Sequence, residues 1–280
     1  MTSSRETFWC VTAGVILAVC ARPPLFAQAK GAAGSPQETE VSVPFIGCAS
    51  SGQIERLEAP KGTSKSVPIT SRDAQALAYY RSADGIGLLT PRGWYCEGAS
   101  GSSGVALFLS PNPIHRDLSG WHGLEGSAIE IYYMFGGTSG RYGIAEIMAR
   151  VFPAYRAFAT GVMEGMDLPL PTVPYPKDIL TYRGKAIVEY NTPAQTEGLG
   201  NFHSWLGKND LPIRGAAIII GDPPNVGDGP DLVLLSVRFS PALTGLTSVI
   251  VDQFERCATA SPPSVGERRR RAGHPGSAGP

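Results

Sequence analysis

Histidine is scarce in this chain, four in 280 residues. Three of them, His115, His122 and His203, fall in the body of the sequence, and none stands four residues from another. The helical His-x-x-x-His pair of zinc enzymes is therefore missing. Cysteine is limited to five and never occurs as Cys-x-x-Cys, which removes the usual ribbon and redox spacings. Neither sign of charge dominates, with 24 basic residues against 24 acidic. A balanced chain has no electrostatic footprint for nucleic acid or an anionic membrane surface. The expected partner is instead a small molecule or a protein, met by a monomer. Gly136-Gly137-Thr138-Ser139-Gly140 lacks the lysine of a phosphate-binding loop. No cofactor fingerprint occurs, so no cofactor is expected. The apolar run Phe8–Cys20 is too short to span a bilayer comfortably.

What is present suits export. Phe8–Cys20 has the length of a signal-peptide core, and Ala27-Gln28-Ala29 supplies the small residues of a cleavage site. Residues 1–29 are expected to be removed, placing the mature start at Lys30 in the periplasm or outside the cell. An uncleaved anchor, or a lipid on Cys20 within Leu17-Ala18-Val19-Cys20, are the alternatives. Cleavage takes away Arg5, Arg22 and Glu6 from the balanced total, so the mature net charge is −1. It also takes Cys10 and Cys20, leaving Cys48, Cys96 and Cys257. Export favours pairing, and one bond among three cysteines has three connectivities. Cys48–Cys96 is the favoured one, because both lie in compact, glycine-flanked strand-like segments, with Cys257 buried and free at a helix end.

With 42% hydrophobic residues, 34 glycines and 24 prolines, the chain fits a loop-rich globular domain. Residues 30–40 read as a linker, 41–260 as one α+β domain and 261–280 as a disordered basic tail. Within the domain, 41–48 is a strand and 49–68 a loop. Thr70-Ser71-Arg72-Asp73 is a capping box opening a helix to about Ser82. Gly85–Pro111 follows as strand, turn, strand with Trp94, Tyr95 and Cys96, Gly/Ser loop, and strand. Residues 128–135 form the cleanest strand, with Ile129, Ile131, Tyr133 and Phe135 on one side and Glu130, Tyr132 and Met134 on the other. Ser139 caps a helix whose stripe is Ile144, Ile147, Met148, Val151 and Phe152. Pro153 kinks it or starts another. Strands at 179–183 and 186–191 meet at Gly184, and 216–220 pairs with 232–239 as a hairpin. Ser240-Pro241 starts the last helix. Strands joined by hairpins and interleaved with helices predict a mainly antiparallel sheet with helices packed on it.

Four stretches carry a family resemblance: VPFIGCASSGQ at 43–53, LAYYRSADGIGLLTPRGWYC at 77–96, AEIMARVFPAYRAF at 145–158 and LTYRGKAIVEYNTPAQTEGLG at 180–200. Together they resemble an uncharacterised group of exported proteins from Gram-negative bacteria. The resemblance spans about 41–258 and implies export and a shared fold, with no chemistry. Members of that group tend to carry an acidic residue where this chain has Ser51. Pro91-Arg92-Gly93-Trp94 and the strand-then-helix order of 232–254 also resemble sandwiches of the Mog1/PsbP type.

The chemistry on offer is sparse. Gly98-Ala99-Ser100-Gly101-Ser102 approaches a nucleophile elbow, but its last residue is serine and a strand follows where a helix is required. Cys96 beside a histidine would make a thiol nucleophile, against the disulfide reading. Asp222, Asn225, Asp228 and Asp231 recur every three residues and offer oxygens to calcium, or simply build a long turn. Glu130 and Glu189 would form an acid–base pair if their strands were neighbours; otherwise both are solvated on an outer sheet face. Gly136–Gly140 ends a strand and opens a helix, which suits an anion or a plain cap. Arg268–Arg271 suit phosphate or plain solvation. The loop Trp121-His122-Gly123-Leu124-Glu125 precedes the cleanest strand and offers a flat apolar face with two polar groups. Trp121, His122 and Glu125 are the ligand-facing candidates. The expected function is non-catalytic binding by an exported protein, with an exported hydrolase of scattered site as the alternative.

Overall fold

Long apolar runs such as Val105–Leu109 and Leu232–Leu235 leave no polar face, which is what a strand covered on both sides requires. The computed structural model describes residues 38–52, 55–114, 123–171, 173–202, 204–221 and 229–260. The expectations for residues 1–37 and 261–280 lie outside them. The described residues fall in one compact unit. The elements, in chain order, begin with β1 (Thr39–Cys48), β2 (Ser50–Ser51), β3 (Arg56–Leu57), β4 (Ser64–Ile69), α1 (Ser71–Ala76), β5 (Leu77–Ser82) and β6 (Gly87–Pro91). There follow β7 (Tyr95–Ser100), β8 (Gly104–Ser110), β9 (Ala128–Met134), α2 (Gly140–Val151) and α3 (Arg156–Glu164). The last are β10 (Ile179–Tyr182), β11 (Ile187–Thr192), β12 (Ile213–Ile220), β13 (Asp231–Arg238) and α4 (Thr247–Ala260).

Among the described residues, nine strands form one sheet in the order β10-β11-β12-β13-β9-β8-β7-β2-β3, and four form another, β4-β1-β5-β6. Among the described residues, only β2–β7 and β1–β5 pair in parallel; the other pairings are antiparallel. This is the α+β class expected from the sequence. The large sheet carries a hydrophobic cluster on each face. One is built with residues of α2 and α3, among them Ile144, Ile147, Met148, Val151 and Phe152. The other is built with the small sheet and α4, whose Ile250 and Phe254 are buried.

The chain passes from the small sheet to the large one between β1 and β2, and a disulfide locks that passage. Cys48 at the end of β1 is bonded to Cys96 of β7, with Cα atoms 5.5 Å apart, while Cys257 is free and half-buried. Gly98 lets β2 approach, since a Cβ there would stand 2.1 Å from Ser50 Oγ.

Several local expectations are corrected. Thr70 does cap α1, accepting from the Asp73 N–H at 3.1 Å, but its hydroxyl donates to Asp73 Oδ2 rather than Asp73 reaching back. The helix stops at Ala76, not Ser82. Leu77–Ser82 is strand, because it pairs with β1 and β6 on both sides, and such pairing overrides local propensity. Arg92 caps the helix end, donating to the carbonyls of Ala74 at 2.6 Å and Leu77 at 2.9 Å. The expected loop 49–68 contains β2, β3 and most of β4; Pro68 is tolerated because β4 is an edge strand. Ser139 stands at the N-cap of α2 without a side-chain cap bond. The last helix begins at Thr247, after a short 3-10 turn at Thr244–Leu246 containing Gly245, a poor helix former.

Candidate functional site

The register of the large sheet sets Glu97, Phe108, Glu130 and Ser236 abreast on β7, β8, β9 and β13, all on the face that carries α2 and α3. Glu130 is only 3% exposed. Its alternation with Ile129 and Ile131 was legible; its burial was not, and the solvated reading is overturned. The acid–base pairing fails too, because β13 and β12 separate β9 from β11. Glu189 also points to the opposite face, being aligned with Ala216 and Leu235 and so with Ile131. There it meets Arg183 at 2.5 Å.

Two donors hold Glu130, the Ser204 hydroxyl at 2.6 Å and the Trp205 backbone N–H at 2.8 Å. Both reach Oε2; Oε1 receives no hydrogen bond among the described residues. Burial pushes the Glu130 carboxyl up to about 7, against the pull of Ser204, of the Trp205 N–H and of the Arg238 charge.

Arg238 is fully buried two residues beyond Ser236 on β13. Its guanidinium donates to the carbonyl oxygens of Gly126, Leu206, Gly207 and Leu124. It thus fastens the segment entering β9 to the loop that caps Glu130. A further bond, from the Leu124 N–H to the Trp205 carbonyl at 2.9 Å, joins the same two segments. Burial lowers the Arg238 pKa.

Over Glu130 lies a cleft of about 370 Å³, walled by Ala99, Ala106, Phe108, Tyr132 and Trp205. The Trp205 ring meets Phe108 edge-on, with centroids 6.4 Å apart and planes at 85°. Trp205 is 39% exposed. At the rim, the Ser103 and Tyr132 hydroxyls are 3.2 Å apart. Among the described residues, no lysine or arginine lines the cleft.

A second hollow of about 330 Å³ sits on the far side of Phe108, bordered by Cys48, Arg56, Tyr95 and Glu97. Its charges satisfy each other. Arg56 donates to both oxygens of Glu97, at 2.5 and 2.8 Å, and Ser51 donates to Oε1 at 3.1 Å.

The other sequence candidates fare differently. Trp121 and His122 lie outside the described residues, as do His115, His203 and 222–228 of the acidic turn; Glu125 is exposed. Ser100 ends β7 in a hairpin, with strand β8 following, so the elbow geometry is not formed. Cys96 is consumed by the disulfide. The Gly136 N–H is already taken by Asp231 Oδ1 at 2.8 Å, and the Tyr133 hydroxyl donates to Asp231 Oδ2 at 2.9 Å. Among the described residues, no group of three metal-ligating side chains is placed to hold a metal ion. No described helix is long and apolar enough to cross a membrane. Trp205 was missed entirely; its only sequence signal is an aromatic in a loop, and its link to Glu130 spans 75 residues.

Comparison with protein-family models, with curated proteins and with solved structures returns no match.

Proposed function

We propose that this is an exported, non-catalytic binding protein whose small-molecule ligand sits in the cleft over Glu130. One observation carries this: a buried carboxyl with one oxygen that receives no hydrogen bond from a described residue, at the base of an aromatic-walled cleft. A carboxyl in such surroundings costs the fold stability that a purely structural glutamine would not. The cleft's size falls within the range of small-molecule sites, about 300–1,000 Å³, and its mix of apolar walls with few polar groups is typical of them.

The reading is tested by filling the cleft. Ala99→Leu adds a branched side chain into open space, away from Glu130. A small-molecule screen by thermal shift should find compounds that stabilise the wild type and not Ala99→Leu. Hits that stabilise both equally would place binding elsewhere. The raised Glu130 pKa favours a second reading, a hydrolase with Glu130 as general acid. Its weakness is the absence from the cleft of a second carboxylate or a nucleophile–histidine pair among the described residues. Turnover of chromogenic esters or glycosides that disappears in Glu130→Gln would favour it.

Export is supported by the Phe8–Cys20 run with Ala27-Gln28-Ala29 and by the disulfide, since such bonds persist in oxidising compartments. N-terminal sequencing from the native host should begin at or near Lys30. An intact Met1 or a lipidated Cys20 would overturn cleavage there.

A further inference from the structure

Three features of the cleft select among ligand classes. First, among the described residues that line it, the one carboxyl is Glu130 and none is a lysine or arginine. An anionic ligand would face Glu130 without a compensating cation from the described lining residues. Second, the walls are aromatic. Trp205 and Phe108 present rings at 85° to each other, with Tyr132 next to Glu130 in the neighbouring row of the same face. Ring faces attract ammonium groups, tryptophan most of all. Third, the polar inventory is small. Among the described side chains it comprises Glu130 Oε1, which accepts no hydrogen bond from a described residue, the Ser100 hydroxyl, and the Ser103 and Tyr132 hydroxyls, which pair with each other at the rim. A sugar or other polyhydroxylated ligand would leave many of its own groups unpaired in such a site.

Arg238 stands close enough to bear on this choice. Its fork is directed at four backbone carbonyls, whose negative ends surround it. Its pull on Glu130 is weaker than the opposing effect of burial and weaker than the two hydrogen bonds. Glu130 therefore sits in a place that wants more positive charge than the described residues supply.

Resting on the reading of this cleft as a ligand seat, we propose that the ligand is a small organic ammonium ion carrying a flat apolar body. Its N–H group meets Glu130 Oε1, and its body lies against Trp205 and Phe108.

The test uses the mature chain, residues 30–280, and three probes of near-equal shape: phenethylamine, 2-phenylethanol and phenylacetate. Titration calorimetry at pH 7.5 compares wild type, Glu130→Gln and Ala99→Leu. A charge-assisted hydrogen bond predicts that wild type prefers the amine to the alcohol by about tenfold or more. Phenylacetate should bind weakest. In Glu130→Gln the preference for amine over alcohol should fall towards one, and in Ala99→Leu both should be lost. Equal affinities for amine and alcohol in wild type, or a preference that survives in Glu130→Gln, would overturn the ligand class. If binding is nevertheless lost in Ala99→Leu, the cleft reading stands without it. Amine binding that is intact in Ala99→Leu would overturn both, and no amine binding at millimolar concentration overturns the ammonium proposal.

Discussion

Replacing Glu130 by glutamine should make the protein more stable above neutral pH and leave it nearly unchanged near pH 4. Glutamine keeps an amide oxygen for Ser204 and the Trp205 N–H and has nothing to ionise. In wild type, the folded state holds the Glu130 proton up to about 7, whereas the unfolded chain releases it near 4.5. Between those values the folded state binds more protons than the unfolded, so stability falls as pH rises, and the loss is complete above pH 7. That span corresponds to about 3 kcal/mol. For a domain of this size the difference is roughly 6–12 °C in melting temperature.

The assay is urea unfolding of both proteins from pH 4 to pH 8.5. Glu255 is also raised to about 7 and Asp252 is raised as well, both mainly by burial, so Glu130→Gln should retain some pH dependence of its own. The quantity to read is the gap between the two curves. It should be near zero at pH 4, open through the range between 4.5 and 7, and level off by pH 7.5. Parallel curves, or a variant less stable than wild type at pH 8, would refute the reasoning that burial without compensation sets the state of Glu130.

Three further outcomes are expected. Alanine at both Cys48 and Cys96 should lower stability by up to about 4 kcal/mol, the loop-closure entropy for a separation of 48 residues; an unchanged urea midpoint would contradict this. Arg238→Met should cost about 3–5 kcal/mol or abolish soluble expression, because four carbonyls and a carboxyl lose a buried cation; normal unfolding would show that the fork is dispensable. Trp205→Ala should weaken phenethylamine binding by roughly 2- to 30-fold through the lost ring face, with little effect on the urea midpoint because the side chain is 39% exposed and Glu130 is held by its backbone N–H.

Local patterns carried much of the fold. The alternation in 128–135, the stripe Ile144–Phe152 and the hairpin of 213–238 each state their own period, and the structure keeps them. The failures have a common cause in pairing partners distant in sequence. Leu77–Ser82 carries helix-compatible spacing from Ala74 to Ala78, and only its two neighbours, β1 and β6, make it a strand. The disulfide was favoured correctly because both cysteines sit in strand-like, glycine-flanked segments. The cleft was beyond reach for the same reason as β5. Glu130 looks outward in any reading that leaves one face of its sheet to water, and the cover comes from Ser204 and Trp205, 74 and 75 residues later. A loop aromatic and a strand acid give no sign in one sequence that they meet.

Glu97 provides the internal control for Glu130. The two acids lie in one row on one face, separated by Phe108. Both are nearly inaccessible, 4% and 3% exposed. They differ oxygen by oxygen. Glu97 accepts from Ser51 and Arg56 on Oε1 and again from Arg56 on Oε2. Whichever way glutamine is turned at Glu97, its NH2 group faces an arginine N–H, donor against donor, and Arg56 loses its counter-charge. Glu97→Gln should therefore cost about 1–3 kcal/mol at pH 8, the opposite sign to Glu130→Gln under the same conditions. Urea midpoints of the two variants, measured side by side, should fall on either side of wild type. If both fall below it, the free oxygen of Glu130 is not the strained feature described above. If both rise, the Arg56 fork contributes nothing to the hold of β3 on the sheet.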